Sequence, residues 1–174
     1  ADDKVMQKAF CDGVDIHTAT AAQVFAVPVE AVTPLQRRHA KAVNFGIVYG
    51  ISEFSLSEDI GVSRWEARDY IDSYLTNYAG VRQYMKDVVD NARASGYTQT
   101  MFGRKRYIPE LTASNFNIRS GAERMALNTP IQGTAADLIK LAMLRVDKAL
   151  AENFQEAKLL LQVHDELIVE CPEE

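Results

Sequence analysis

The chain has 174 residues, enough for one ordinary domain or a domain with a subdomain, and 47% of them are apolar, as in a globular protein. No apolar run is long enough to cross a bilayer, and nothing at the N-terminus reads as a signal peptide. A net charge of −5 argues weakly against nucleic acid, yet the cations are bunched at Arg37, Arg38 and Lys41 and again at Arg104, Lys105 and Arg106, and only the local surface matters to a phosphate.

Residues 1–27 read as two short helices, the second starting near Asp15 with His17 in its first turn. A loop with Pro28 follows. Thr33, Pro34 and Gln36 spell a capping box with proline at the first helical position, and Gly50 is a left-handed stop, so the sequence predicts a helix between them. Leu35, Val43 and Ile47 are its expected buried side. Arg37, Lys41, Phe45 and Tyr49 recur every four residues, which advances them about 40° per step and makes a slowly winding stripe. Cations beside aromatics suit a ligand with phosphates at one end and a flat base at the other. Taken alone, the spacing fits an amphipathic helix with a solvated basic face equally well.

Ser52 opens a short helix that stops near Gly61, and Ser63 with Glu66 forms a second capping box ahead of a helix to about Tyr78. Gly80 is the expected break before a helix that runs to Gly96. Tyr97 to Phe102 alternates like a strand, and Gly103 to Pro109 completes a short hairpin with a basic tip, either a surface turn or a phosphate contact. Residues 116–129 read as a helix ended by Pro130, and another runs from about Gln132 to Asn153. Leu159 to Val163 and Leu167 to Glu170 read as two buried strands joined by His164-Asp165-Glu166. Carboxylates at that apex offer oxygen ligands to a divalent cation, although a polar loop is the commoner use of such residues. Cys11 and Cys171 lack zinc-type spacing and read as free thiols of a reducing compartment, which points to a cytoplasmic protein.

Four runs, in order, resemble family A DNA polymerases over nearly the whole chain: Asp15-Ile16-His17-Thr18, Arg37-x3-Lys41-x3-Phe45-x3-Tyr49-Gly50, Asn128 to Asp137, and Gln162-Val163-His164-Asp165-Glu166. The resemblance implies an α+β fold: a lead-in at 1–14, a mostly helical fingers subdomain at 15–115, and a partial antiparallel palm sheet at 116–174. It implies that His17, Arg37 and Lys41 contact the triphosphate of an incoming dNTP, that Lys41 donates a proton to the leaving pyrophosphate, and that Phe45 and Tyr49 pack on its sugar, base and templating position. Arg124, Asn128, Gln132 and His164 would line primer–template DNA. Asn128 and Gln132 would share one face if the helix continues through Pro130. Asp165 would be a metal ligand, with Glu166 as its less direct neighbour.

The family reaction uses two magnesium ions on two palm aspartates. Only one of that pair, Asp165, is present, so the resemblance implies part of a larger polymerase, with full activity absent from the isolated chain. A non-catalytic nucleotide- or DNA-binding piece is the alternative. Partners implied are primer–template DNA, dNTP, and either a missing thumb and palm segment or a second copy through the exposed palm edge. No membrane is implied. A single-subunit RNA polymerase shares the architecture, but Asn44-Phe45-Gly46 and Glu166 after His164-Asp165 look more like the DNA enzymes.

Overall fold

The computed structural model describes residues 1–173, and they form two compact units. The first comprises Ala1–Thr98 and Arg106–Asn128, the second Gln99–Lys105 and Thr129 onward. The first is built from α1 (Lys4–Cys11), α2 (Ile16–Val24), α3 (Pro34–Val48), α4 (Glu53–Ile60), α5 (Arg64–Asn77), α6 (Ala79–Ser95) and α7 (Phe116–Asn128). A small hairpin of β1 (Tyr97–Gln99) and β2 (Lys105–Tyr107) has its tip in the second unit. That unit otherwise holds α8 (Thr134–Asn153) and an antiparallel pair, β3 (Lys158–Val163) and β4 (Glu166–Glu170). The fold class is α+β, as the sequence implies. Among the described residues no helix is long and apolar enough to cross a membrane.

Two apolar clusters hold the first unit. Val43 and Ile47 of α3 pack with Leu56, Ala67, Tyr74, Tyr78 and Val81, while Ala92, Ile108, Leu111, Ala122 and Ala126 form a smaller group. Leu35, expected on the buried side of α3, is 52% exposed. Eight residues make about 2.2 turns, which rotates Leu35 some 80° away from Val43. The buried stripe is instead Ala40, Val43, Asn44 and Ile47, and it includes a polar side chain.

Gly80 does not break a helix. The interruption falls at Tyr78 (φ −109°, ψ 65°), and Gly80 lies in the first turn of α6. Its role is steric. Asp3 caps two helices at once, accepting from Met6 N–H through Oδ1 and from Gly80 N–H through Oδ2, both at 2.9 Å. A β-carbon on Gly80 would stand 2.8 Å from the Asp3 Cα, a backbone atom that has nowhere to go. Gly80→Ala is therefore expected to destabilise the first unit by about 1–3 kcal/mol, the usual cost of overpacking. A urea midpoint equal to that of the parent would contradict this close approach.

The chain does not end a helix at Pro130 and begin another at Gln132. A π-helical turn, Thr129–Gly133, carries the backbone through Pro130 into α8. A π-turn bonds i to i+5 rather than i to i+4.

The terminal strands depart furthest from expectation. Leu160, Leu161, Val163, Ile168 and Val169 are between 38% and 53% exposed, not buried. Only Leu159 and Leu167 are half-buried, and α8 packs against β3. An isolated two-stranded ribbon has one neighbour per strand and nothing over its second face. The register slips between Leu159 and Leu161, so Leu160 bulges out of the ladder. Among the described residues the second unit fully buries no apolar side chain; its buried groups are Thr100, Thr129 and Asp137. Asp137 organises this unit. Its carboxylate accepts from Thr100 Oγ1 at 2.7 Å and from Arg104 Nε and Nη2 at 2.7 and 2.6 Å, and these contacts hold it below the usual carboxylate range. Arg104, at the basic hairpin tip, is thereby committed to a structural ion pair.

Candidate functional site

The α3 helix is fixed at both ends by its own sequence. Gln36 N–H donates to Thr33 Oγ1 at 3.2 Å and Thr33 N–H donates to Gln36 Oε1 at 2.9 Å, closing the capping box. At the other end Ile51 N–H reaches back to Gly46 C=O at 2.8 Å and Gly50 N–H to Ile47 C=O at 2.9 Å. These are the two bonds of a Schellman stop, which needs Gly50 at its φ of +70°. A rigid rod with a buried apolar stripe leaves Arg37, Lys41, Phe45 and Tyr49 facing solvent. Phe45 is 49% exposed and Tyr49 41%.

Helix α2 packs on α3 and brings His17 to the same surface. The His17 ring lies 5.7 Å from the Phe45 ring, and Lys41 Nζ sits 5.9 Å from the Phe45 centroid. Among the described residues Lys41 forms no ion pair, whereas Arg37 is already engaged. Its Nε and Nη2 donate to the two carboxylate oxygens of Asp15 at 2.7 and 3.1 Å. Asp15 also N-caps α2, accepting from Thr18 N–H at 3.1 Å. The Arg37 guanidinium and the Thr18 bonds hold Asp15 well below the usual carboxylate range, and Asp15 in turn raises the pKa of Arg37.

Burial lowers the pKa of His17, and Arg37 and Lys41 push the same way against the opposing pull of Asp15. His39 is lowered by burial and by Arg38. Both imidazoles therefore refuse protons that the unfolded chain accepts below about pH 6.5. Stability is expected to fall as pH drops through that value. The His17→Gln/His39→Gln double variant should flatten the urea midpoint between about pH 7 and 5.5; an equally steep loss in the variant would place its cause elsewhere.

Beside Phe45 and Tyr49 opens a cleft of about 530 Å³, lined also by Ser55, Asp59 and Arg124. Arg124 reaches it from α7 and packs beside Gly50, with Nη1 donating to Ser120 Oγ at 3.1 Å. Arg124, expected on a duplex, thus lines this cleft together with Ser55 and Asp59, which no sequence motif singled out. Nor does spacing alone reveal what Asp15 does, or Asn44, whose amide meets His17 at 3.0 Å. An asparagine within the buried stripe of a helix was a readable signal of the latter.

In the second unit, Gln132, Gln162, His164 and Asp165 line a cleft of about 390 Å³. The turn is His164-Asp165, with His164 at φ +54° and its carbonyl accepting from Gln162 Nε2 at 2.7 Å. Glu166 is not at the apex; it is exposed and heads β4 opposite Val163. Asn128 ends α7 with a buried Oδ1 that has no hydrogen-bond partner among the described residues. No group of three His, Cys, Asp or Glu side chains suited to a metal gathers among those residues. Asp165 alone offers an exposed carboxylate at a turn, which does not amount to a complete magnesium site.

The whole chain, residues 1–174, matches the model of the family described as DNA polymerase family A. It is 56% identical over 172 residues to the DNA polymerase I of Bacillus subtilis, and 52% identical over 174 residues to that of Bacillus caldotenax. These alignments cover 99% and 100% of the chain but 20% of either relative, so it spans about a fifth of their length. Among solved structures, the POL domain of Pol1 from M. smegmatis, in complex with DNA primer-template and dNTP, matches with a TM-score of 0.90 and 47% identity. That match covers 98% of this chain and 30% of the other.

Proposed function

The chain belongs to DNA polymerase family A, and from that premise we propose that it is part of a DNA-directed DNA polymerase and that His17 with the exposed face of α3 receives the incoming dNTP. The observation that carries this reading is the meeting of Lys41, His17 and the half-exposed Phe45 ring on one rigid surface. Lys41 supplies an uncompensated cation for phosphate oxygens. His17, with its pKa lowered, supplies a neutral hydrogen-bond donor beside it. Phe45 supplies a flat apolar face for sugar and base, and Tyr49, one turn further along, stacks at the templating position. Charge that builds on the leaving pyrophosphate meets donors already in place, which is where fixed electrostatics help most. In this reading Lys41 is also the group that returns a proton to it.

Fingers at 15–115 and a palm portion at 116–174 remain the assignment we favour. In it Arg124, Asn128, Gln132 and His164 contact primer–template DNA. The unpartnered Asn128 carbonyl and the grouping of Gln132 with His164 and Asp165 support this. Asp165 is proposed as one carboxylate of a divalent-cation site that would take magnesium, with Glu166 as its neighbour. The exposed apolar face of β3 and β4 supports association, either with further polymerase sequence or with a second copy.

Calorimetric titration of the chain with a dNTP tests the nucleotide reading. Binding should be competed by inorganic triphosphate and weakened by salt, and a nucleoside without phosphates should bind far less well. Equal binding of nucleoside and dNTP would overturn the assignment of α3 to the phosphates. Primer extension with magnesium, by the chain alone and mixed with a separately made thumb and first-palm segment, separates catalysis from binding. Extension only in the mixture is expected; extension by the chain alone would refute the dependence on a second carboxylate.

A further inference from the structure

Helices α2 and α3 share a line of buried hydrogen bonds that ends on His17. Thr20 and Tyr78 are fully buried and Asn44 is 8% exposed. Thr20 Oγ1 donates to Asn44 Oδ1 at 3.2 Å, and the Tyr78 hydroxyl lies 3.3 Å from the same Thr20 oxygen. A threonine hydroxyl has one hydrogen. Since Thr20 spends it on Asn44, Tyr78 is the donor to Thr20. The Asn44 carbonyl is then an acceptor, which leaves its Nδ2 facing His17 Nδ1 at 3.0 Å. An amide N–H can only donate, so Nδ1 must be the bare nitrogen and the ring proton must sit on Nε2. No partner for Nε2 occurs among the described residues, and the ring is only partly buried.

We propose that Asn44, oriented by Tyr78 and Thr20, is a positioning residue that holds His17 in its Nε2–H tautomer, so that the outward edge of the ring is always a hydrogen-bond donor. The inference rests on the reading of His17 as a phosphate contact, and it explains how that contact is made dependable. A free imidazole would present a bare nitrogen outward for part of the time, and a bare nitrogen repels a phosphate oxygen. The charged groups around the ring are Asp15 on its own helix and Arg37 and Lys41 on α3; the Phe45 ring is its aromatic neighbour. None of these selects between the two nitrogens by hydrogen bonding, whereas Asn44 does.

Long-range nitrogen–proton NMR of the chain reads the tautomer directly, with the His17 signals identified from their loss in His17→Gln. The expected spectrum is that of the Nε2–H form. A dominant Nδ1–H form in the parent would overturn the proposal without any variant. Asn44→Asp keeps the shape and the bond from Thr20 but replaces the donor with a carboxylate. It should move the neutral-ring proton to Nδ1 and raise the His17 titration midpoint by about one pH unit or more. Thr20→Val should allow the amide to turn and mix the tautomers, while Thr20→Ser should restore the parent spectrum. An unchanged tautomer in both Asn44→Asp and Thr20→Val would also overturn the proposal, and loss of packing alone would not be rescued by serine. Adding dNTP to the same samples separates the two readings. An Asn44-dependent tautomer whose Nε2 signal ignores dNTP would sustain the positioning role and sink the phosphate contact. A several-fold loss of dNTP affinity in Thr20→Val but not Thr20→Ser would sustain both.

Discussion

Replacing Lys41 with alanine is expected to weaken dNTP binding about tenfold, the loss of a charge-assisted bond of about 1.5 kcal/mol at an exposed site. Arg37→Ala should cost less, although an arginine fork is the better phosphate ligand in isolation. The difference lies in the free protein. Lys41 has no ion-pair partner among the described residues, while Nε and Nη2 of Arg37 are bonded to Asp15. A phosphate must share or displace that carboxylate, and part of the attraction is spent in doing so. Asp15→Asn should accordingly improve binding, provided the neutral amide still caps α2 as asparagine commonly does. Titration of the three variants at one ionic strength decides the matter. An Arg37→Ala loss larger than that of Lys41→Ala would mean that the Asp15 pair does not restrain Arg37.

The largest stability effect is expected at Tyr74. Its side chain is 1% exposed, and its ring centroid lies 4.7 Å from that of Tyr78 inside the main apolar cluster of the first unit. Tyr74→Ala should cost about 3–5 kcal/mol, by lost transfer energy and by the cavity left behind. Whole-domain stability is commonly about 5–15 kcal/mol, so this single change threatens the fold. Urea unfolding followed by circular dichroism should show a lower midpoint at nearly constant slope, with Tyr74→Phe much closer to the parent. A loss below about 1 kcal/mol in the alanine variant would mean that this cluster is not the core it resembles.

The parts that were readable from sequence are those made by neighbours along the chain. Thr33 with Gln36, Ser63 with Glu66, and Gly50 after Tyr49 each close bonds within a few residues, and all three formed as their spacing requires. The stripe from Arg37 to Tyr49 was readable for the same reason. What escaped depends on partners far away in sequence. Asp15 and Arg37 are 22 residues apart, Asn44 and His17 are 27 apart, and Arg124 comes to the Tyr49 cleft from another helix. Composition alone made Leu159 to Val163 look buried, but burial needs a covering layer, and the pattern of one strand does not specify what covers it. Pro130 was misread because its missing N–H usually ends a helix, whereas here a π-turn beginning at Thr129 carries the backbone past it.

The wet strands of the second unit also set what a calorimeter would record. The rise in heat capacity on unfolding follows the apolar area that water newly reaches. Leu160, Leu161, Val163, Ile168 and Val169, like Leu138 and Leu144 of α8, are already substantially in water. Melting that unit would therefore add little to the heat-capacity step. The trace should resemble that of a protein only as long as the first unit, with α8 and the hairpin loosening gradually and outside the main peak.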